Sequence, residues 1–212
     1  MRRYLLLFSA FSLFLSVQSC KSYEPAGAVA VSNSGGPVQN LYFSSTENDY
    51  LYKTQIEIYG NNLSGILIIK KISDETHRVV MTTDFGNKML DFEISDTDFK
   101  VNYLVPDLDR KVVKKFLEKD FRVLLKEKHA VSHTFEDSEH QIFSSENPEQ
   151  RNYLYYSKTD GLLKKIVFTE NGKGRLNFLF DGKSAIFADS ITLIHKDFRL
   201  KIQLKRMDTE ID

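Results

Sequence analysis

Tryptophan is missing from this 212-residue chain, cysteine occurs once, and proline only four times. One cysteine cannot close an internal disulfide, and it excludes metal centres built on several thiolates. Scarce proline leaves room for long unbroken strands. No charge of either sign dominates, since 29 Lys and Arg balance 29 Asp and Glu. That balance argues against the basic footprint of nucleic-acid binding. Long apolar runs are missing too, with one exception. Residues 4–17 are largely apolar over about 14 positions, short of the ~20 that a membrane-spanning helix needs. What the chain does have is aromatic: 16 Phe and 10 Tyr, residue types that suit pleated, half-buried strands.

The apolar run follows Arg2 and Arg3 and ends at Val17-Gln18-Ser19-Cys20. A basic start, a short apolar stretch and a small residue at its end read as an export signal. The pattern resembles a bacterial lipoprotein signal. That resemblance implies removal of residues 1–19 and acylation of Cys20, which would hold the body at a membrane surface. The alternative is an ordinary cleaved signal beside an incidental cysteine. Without Arg2 and Arg3, 27 basic residues face 29 acidic ones. Residues 20–40 then read as the lipidated cysteine and a flexible linker rich in Ser, Gly and Pro. Residues 41–212 read as a single domain.

Strands follow one another from about residue 50. Residues 51–59, 63–72, 76–83, 88–95 and 99–104 are separated by short turns, which predicts an antiparallel meander. Alternation is clean in the fourth, where Leu90, Phe92 and Ile94 oppose Asp91, Glu93 and Ser95. Pro106 and Asp107 open a predicted helix that runs to Leu125, with an apolar stripe through Leu108, Val112, Phe116, Phe121 and Leu124. Strands resume at 129–135, 141–144, 152–157, 162–169, 175–180, 185–195 and 198–206. Asp160-Gly161 and Asn171-Gly172 mark hairpins. About 10–11 strands and one principal helix are expected.

Catalytic patterns are not found. No serine stands in a Gly-x-Ser-x-Gly elbow. His129 and His133 are four apart, but the stretch reads as strand, so metal spacing on a helix does not apply. His133 and His140 with Glu136, Asp137 and Glu139 read as a solvated polar loop rather than a metal site. Asn171-Gly172-Lys173-Gly174 reads as a hairpin, not a phosphate loop. No enzyme activity, cofactor or metal is expected.

Inward positions instead carry a surplus of apolar residues. A long sheet curled around a helix would enclose a space lined by Ile66, Ile68, Met81, Leu90, Phe92, Ile94, Phe99 and Val101 in its first half. Phe168, Phe178, Phe198, Leu200 and Ile202 would line the second. The alternative is a solid core filled by the helix.

The order of elements resembles the LolA/LolB family of lipoprotein carriers and receptors. The closest local similarity is VMTTDFGNKMLDF, residues 80–92, where Asp84-Phe85-Gly86 stands in place of that family's Pro-Leu-Gly loop. The resemblance implies an incomplete antiparallel β-barrel with a helix across its concave face. It implies binding of acyl chains or lipoproteins there, and receipt or insertion of lipoproteins at the outer membrane. Phe85 would be the loop-tip contact with membrane or partner. Implied too are a lipid-anchored location in the bacterial cell envelope, facing the periplasm, and a periplasmic carrier as partner. A monomer is expected. The rival expectation is an envelope lipoprotein with a filled core and a structural or interaction role.

Overall fold

The computed structural model describes residues 22–31, 36–147 and 149–207; the leader and Cys20 lie outside the described residues. The first long strands are β3 (Asp49–Ile58), β4 (Asn61–Lys71), β5 (His77–Thr82), β6 (Lys88–Ile94) and β7 (Phe99–Leu104), preceded by the short β1 (Val29–Val31) and β2 (Val38–Gln39). One helix follows, α1 (Lys111–Leu125), then the short β8 (Lys128–His129). The second half comprises β9 (Val131–Glu136), β10 (His140–Ser145), β11 (Gln150–Ser157), β12 (Leu163–Glu170), β13 (Lys173–Asp181), β14 (Ser190–His195) and β15 (Leu200–Arg206).

Thirteen of these strands form one sheet in the order β1-β9-β10-β11-β12-β13-β14-β15-β3-β4-β5-β6-β7. The two meanders meet where β15 pairs antiparallel with β3, Leu204 opposite Thr54. β7 and β1 are the two edges, each paired on one side only, so the sheet curls without closing: an incomplete barrel, as expected. The fifteen strands exceed the expected 10–11; three of the extra ones, β1, β2 and β8, have only two or three residues, too few to show a period.

Part of the stretch read as a linker lies on the sheet. β1 pairs with β9, and β2 pairs with β8. Between residue 22 and β1, Tyr23 packs edge-on against Tyr153 at 4.9 Å and bonds to the Tyr155 hydroxyl at 2.8 Å. Together with Ile142, Val167 and Phe135 these rings form a small apolar cluster on the convex face.

The main core is on the concave face. Leu67, Ile69, Val79, Met81, Leu90, Phe92 and Ile94 from the first meander meet Leu154, Ile166, Phe168, Leu176, Phe178 and Leu193 from the second. Phe121, Leu124 and Leu125 of α1 fill the space between them. Each large side chain so buried contributes roughly 1.5–3 kcal/mol. At Gly65 the strands approach so closely that a Cβ would sit 2.1 Å from the Thr82 carbonyl oxygen, so this position of β4 admits no side chain.

The helix starts later than expected. Leu108 and Asp109 bond back to Val105 and Pro106 in a turn, and Arg110 is extended. The first helical residue is Lys111, with no acidic residue in the first turn. Asp109 pairs with Lys114 from outside the helix.

Candidate functional site

The curl of the sheet brings most of the expected lining residues to one face. Met81, Leu90, Phe92, Ile94, Phe168 and Phe178 are buried there, with Phe99 and Ile202 half-buried against them. Val101 shares this side because it stands opposite Phe92, and Leu200 because it alternates with Ile202. Phe198 sits at the margin, 4.6 Å from Phe116 and 4.4 Å from His195 between ring centres.

Ile66 and Ile68 do not belong to the face. Leu67 and Ile69 are the inward residues of β4, and Ile66 and Ile68 point to the convex side. The reason is the run Leu63-Ser-Gly-Ile-Leu-Ile-Ile, which is apolar at both phases, so a period of two cannot tell inside from outside.

Several residues on this face went unnoticed in the sequence. Tyr42 and Phe43, from the stretch just before β3, are fully buried in the core beside Tyr50 and Tyr52. The Tyr52 hydroxyl donates to the Ala188 carbonyl at 2.9 Å, and that of Tyr42 to Leu163 at 3.2 Å. The Tyr-x-Tyr spacing of Tyr50 and Tyr52 was the available signal. Asn40 had none: its amide donates to Glu127 at 2.8 Å and its side chain to the Leu124 carbonyl at 3.1 Å. Its side chain thereby satisfies a carbonyl left open at the end of α1.

The helix covers the concave face with an apolar side and polar ties. Phe121 meets Phe92 edge-on at 5.1 Å. Beside it, Asp120 accepts a hydrogen bond from His195 at 2.7 Å, both groups buried. Burial pushes the Asp120 carboxyl above its ordinary range, against the lowering effect of the His195 bond. The second carboxylate oxygen of Asp120 has no hydrogen-bond partner among the described residues. Lys119 pairs with Glu170 at 3.2 Å, Lys126 pairs with Asp96 at 3.1 Å, and the Arg122 guanidinium donates to the Ser95 carbonyl at 3.2 Å.

Between α1 and the second meander runs an open cleft of about 580 Å³. Val123 and Phe168 supply its apolar part, and Lys115, Glu118, Lys119 and Glu170 belong to its charged lining. His129 also lines it, with Nε2 donating to the Lys126 carbonyl at 3.2 Å. Its Nδ1 has no hydrogen-bond partner among the described residues, and burial pushes this histidine down to about 4.

Phe85 stands on the β5–β6 turn, 93 % exposed. Asp84 beside it is bound by Lys53 and, at 2.7 Å, by the Ser64 hydroxyl. The Lys53 bond holds the Asp84 carboxyl below its usual range. Gly86 has φ +85°, which glycine adopts without strain. Side-chain bonds from β3 and β4 thus tie this turn to the sheet.

Of the remaining histidines, His140 pairs with Asp137 at 3.2 Å within the β9–β10 turn, and His133 is exposed. Among the described residues no group of three or more His, Cys, Asp or Glu is placed to hold a metal ion. None of the described helices is long and apolar enough to cross a membrane.

No protein-family model and no curated protein matches the chain. Solved structures do. A LolA superfamily protein from Nitrosomonas europaea superposes with a TM-score of 0.50 at 8% identity, over 78% of this chain and 87% of that one. A DUF1329 family protein from Desulfovibrio piger gives 0.41 at 8% identity, over 77% and 87% of the two chains. A domain provisionally assigned to outer membrane lipoprotein sorting, from Vibrio parahaemolyticus, gives 0.43 at 8% identity, over 78% and 87%.

Proposed function

We propose that this chain is a lipid-anchored envelope protein that binds acyl chains on its concave face and receives or inserts lipoproteins at the outer membrane. It would use no bond chemistry. The observation that carries the reading is one continuous apolar concave face, shared by both meanders and covered by a single helix. The fold likeness to a LolA superfamily protein supports it. So does the placement of Phe85, an exposed aromatic at a rigid turn that the core does not need.

In the arrangement described, α1 occupies the space that an acyl chain would take, so α1 acts as a lid and binding requires it to move. Its attachment favours this. A buried carboxylate with one oxygen unsatisfied stabilises a contact less than an apolar group of the same shape does.

The same packing favours a second reading, an interaction lipoprotein with a permanently filled core. Uptake of a fluorescent fatty acid by the purified mature chain separates the two. The carrier reading expects saturable uptake in the parent protein. It expects Val101→Trp, on the half-buried edge strand β7, to reduce uptake with little change in melting temperature. A filled core expects no uptake, and an overpacking loss of roughly 1–3 kcal/mol.

A further inference from the structure

Val123 of α1 and Phe168 of β12 belong both to the concave core and to the wall of the open cleft beside it. The cleft is therefore continuous with the apolar face, and a ligand that is half apolar and half polar can span the two.

Two backbone bonds build its polar wall. The Glu146 amide donates to the Ala130 carbonyl at 3.2 Å, and the Asn152 amide donates to the Ser145 hydroxyl at 2.8 Å. They bring His129, the residue before Ala130, and Asn152 into one lining. Asn152 stands opposite Phe168 and two positions before Leu154, which puts its side chain on the concave side. Both side chains are more than nine-tenths buried. His129 gives its Nε2 proton to Lys126, so its Nδ1 is a lone-pair acceptor. Neither that nitrogen nor Asn152 Oδ1 has a hydrogen-bond partner among the described residues. A buried acceptor without a donor destabilises the fold, so two of them in one wall favour a ligand that brings N–H or O–H groups.

The charges around them favour a neutral ligand. The lining carries four acidic and four basic side chains. Three of the bases are already matched: Lys119 by Glu170, Lys126 by Asp96, and Arg122 by Glu118 at 3.0 Å. A carboxylate or phosphate head would compete with these pairs and would face two acceptors.

We propose that the cleft holds the first amides of an acylated peptide, whose N–H groups donate to His129 Nδ1 and Asn152 Oδ1 while its acyl chain enters the concave face. The proposal deepens the function given above and rests on the reading that this face takes acyl chains. Peptide amides suit the wall because successive residues, about 3.8 Å apart, each bring an N–H without net charge. Both acceptors are covered in the arrangement described, so the movement of α1 that admits the chain must also uncover them. A free fatty acid would fill the apolar half and leave both acceptors unpaired.

Palmitoyl-Gly-Ser-Ser-amide, methyl palmitate and palmitic acid are to be compared as competitors of a fluorescent fatty acid on the purified mature chain. The acylated peptide is expected to bind about tenfold more tightly than the ester or the acid. Asn152→Leu removes one acceptor at similar volume and is expected to bring that ratio close to one, with a melting temperature equal to or above the parent's. His129→Leu gives a second reading of the same ratio. Equal binding of all three compounds by the parent, or a peptide preference that survives both substitutions, overturns the proposal and leaves the acyl-chain reading standing. Binding of none of the three overturns that reading, and this one with it.

Discussion

Asn40 shows how much a single buried polar side chain can tie together. Its amide holds Glu127, its side-chain nitrogen holds Leu124, and its side-chain oxygen accepts the Tyr42 amide at 3.1 Å. Asn40→Ala leaves a helix carbonyl and a backbone amide buried without partners. The expected cost is about 1–3 kcal/mol, read from the urea midpoint at unchanged slope. His129 sets a pH dependence. Its folded value of about 4 lies below its ordinary 6.5, so the unfolded chain takes up the proton first. Its contribution is full above about 6.5 and is lost as pH falls toward 4. Lys126 adds to the lowering and Asp96 opposes it. His77, lowered by burial, acts in the same direction. Buried Asp120 acts in the opposite direction, since its raised value favours the fold as it takes up a proton. His129→Gln keeps a donor for Lys126 and does not titrate. Melting curves between pH 6.5 and 4 are expected to fall less steeply for this variant than for the parent. Residues of this kind were hidden in the sequence. Asn40, Asp120 and His195 meet their partners across 75 or more positions, and no local pattern marks them. Phe92 and Ile94 were legible because their strand alternates with charged residues, whereas Ile66 and Ile68 were not, since both faces of β4 are apolar.

At the level of elements, α1 differs from the strands around it. Every long strand except the edge strand β7 is laddered on both sides. The helix has no side-chain cap at its start and leans on the sheet through one apolar side and a few ion pairs. Amide hydrogens of α1 are therefore expected to exchange faster than those of β3 and β4, through a partial opening rather than global unfolding. Hydrogen exchange read by mass spectrometry checks this; equal protection of α1 and β3 would remove the helix as a lid. Elements were legible where local chemistry decides them. Asn171 and Gly172 take φ +50° and +72° at the β12–β13 turn, as the hairpin reading requires. The helix start was misplaced because Pro106-Asp107 suits a turn as well as a first helical turn, and here bonds to Val105 decide for the turn. β1 and β2 escaped because a pair of two or three residues draws its stability from the sheet it joins.

Across the whole molecule, the two antiparallel meanders were legible because short loops leave antiparallel neighbours few alternatives, whereas the incomplete barrel was implied only by the family resemblance. How the two meanders join was not legible, since pairing between distant strands leaves no local trace. The structure joins them at β15 and β3, with Arg206 opposite Tyr52. That seam has a consequence for the order of events in the life of the chain. Contacts of such long sequence separation form late, because the loop between them must first be closed. The first meander cannot gain its neighbour until residues near 206 have been made and released. Each meander can form from its own short hairpins first, and the seam between β15 and β3 is expected to close last. Until it does, β3 keeps an open strand edge, which is where a partly folded chain would pair with another copy.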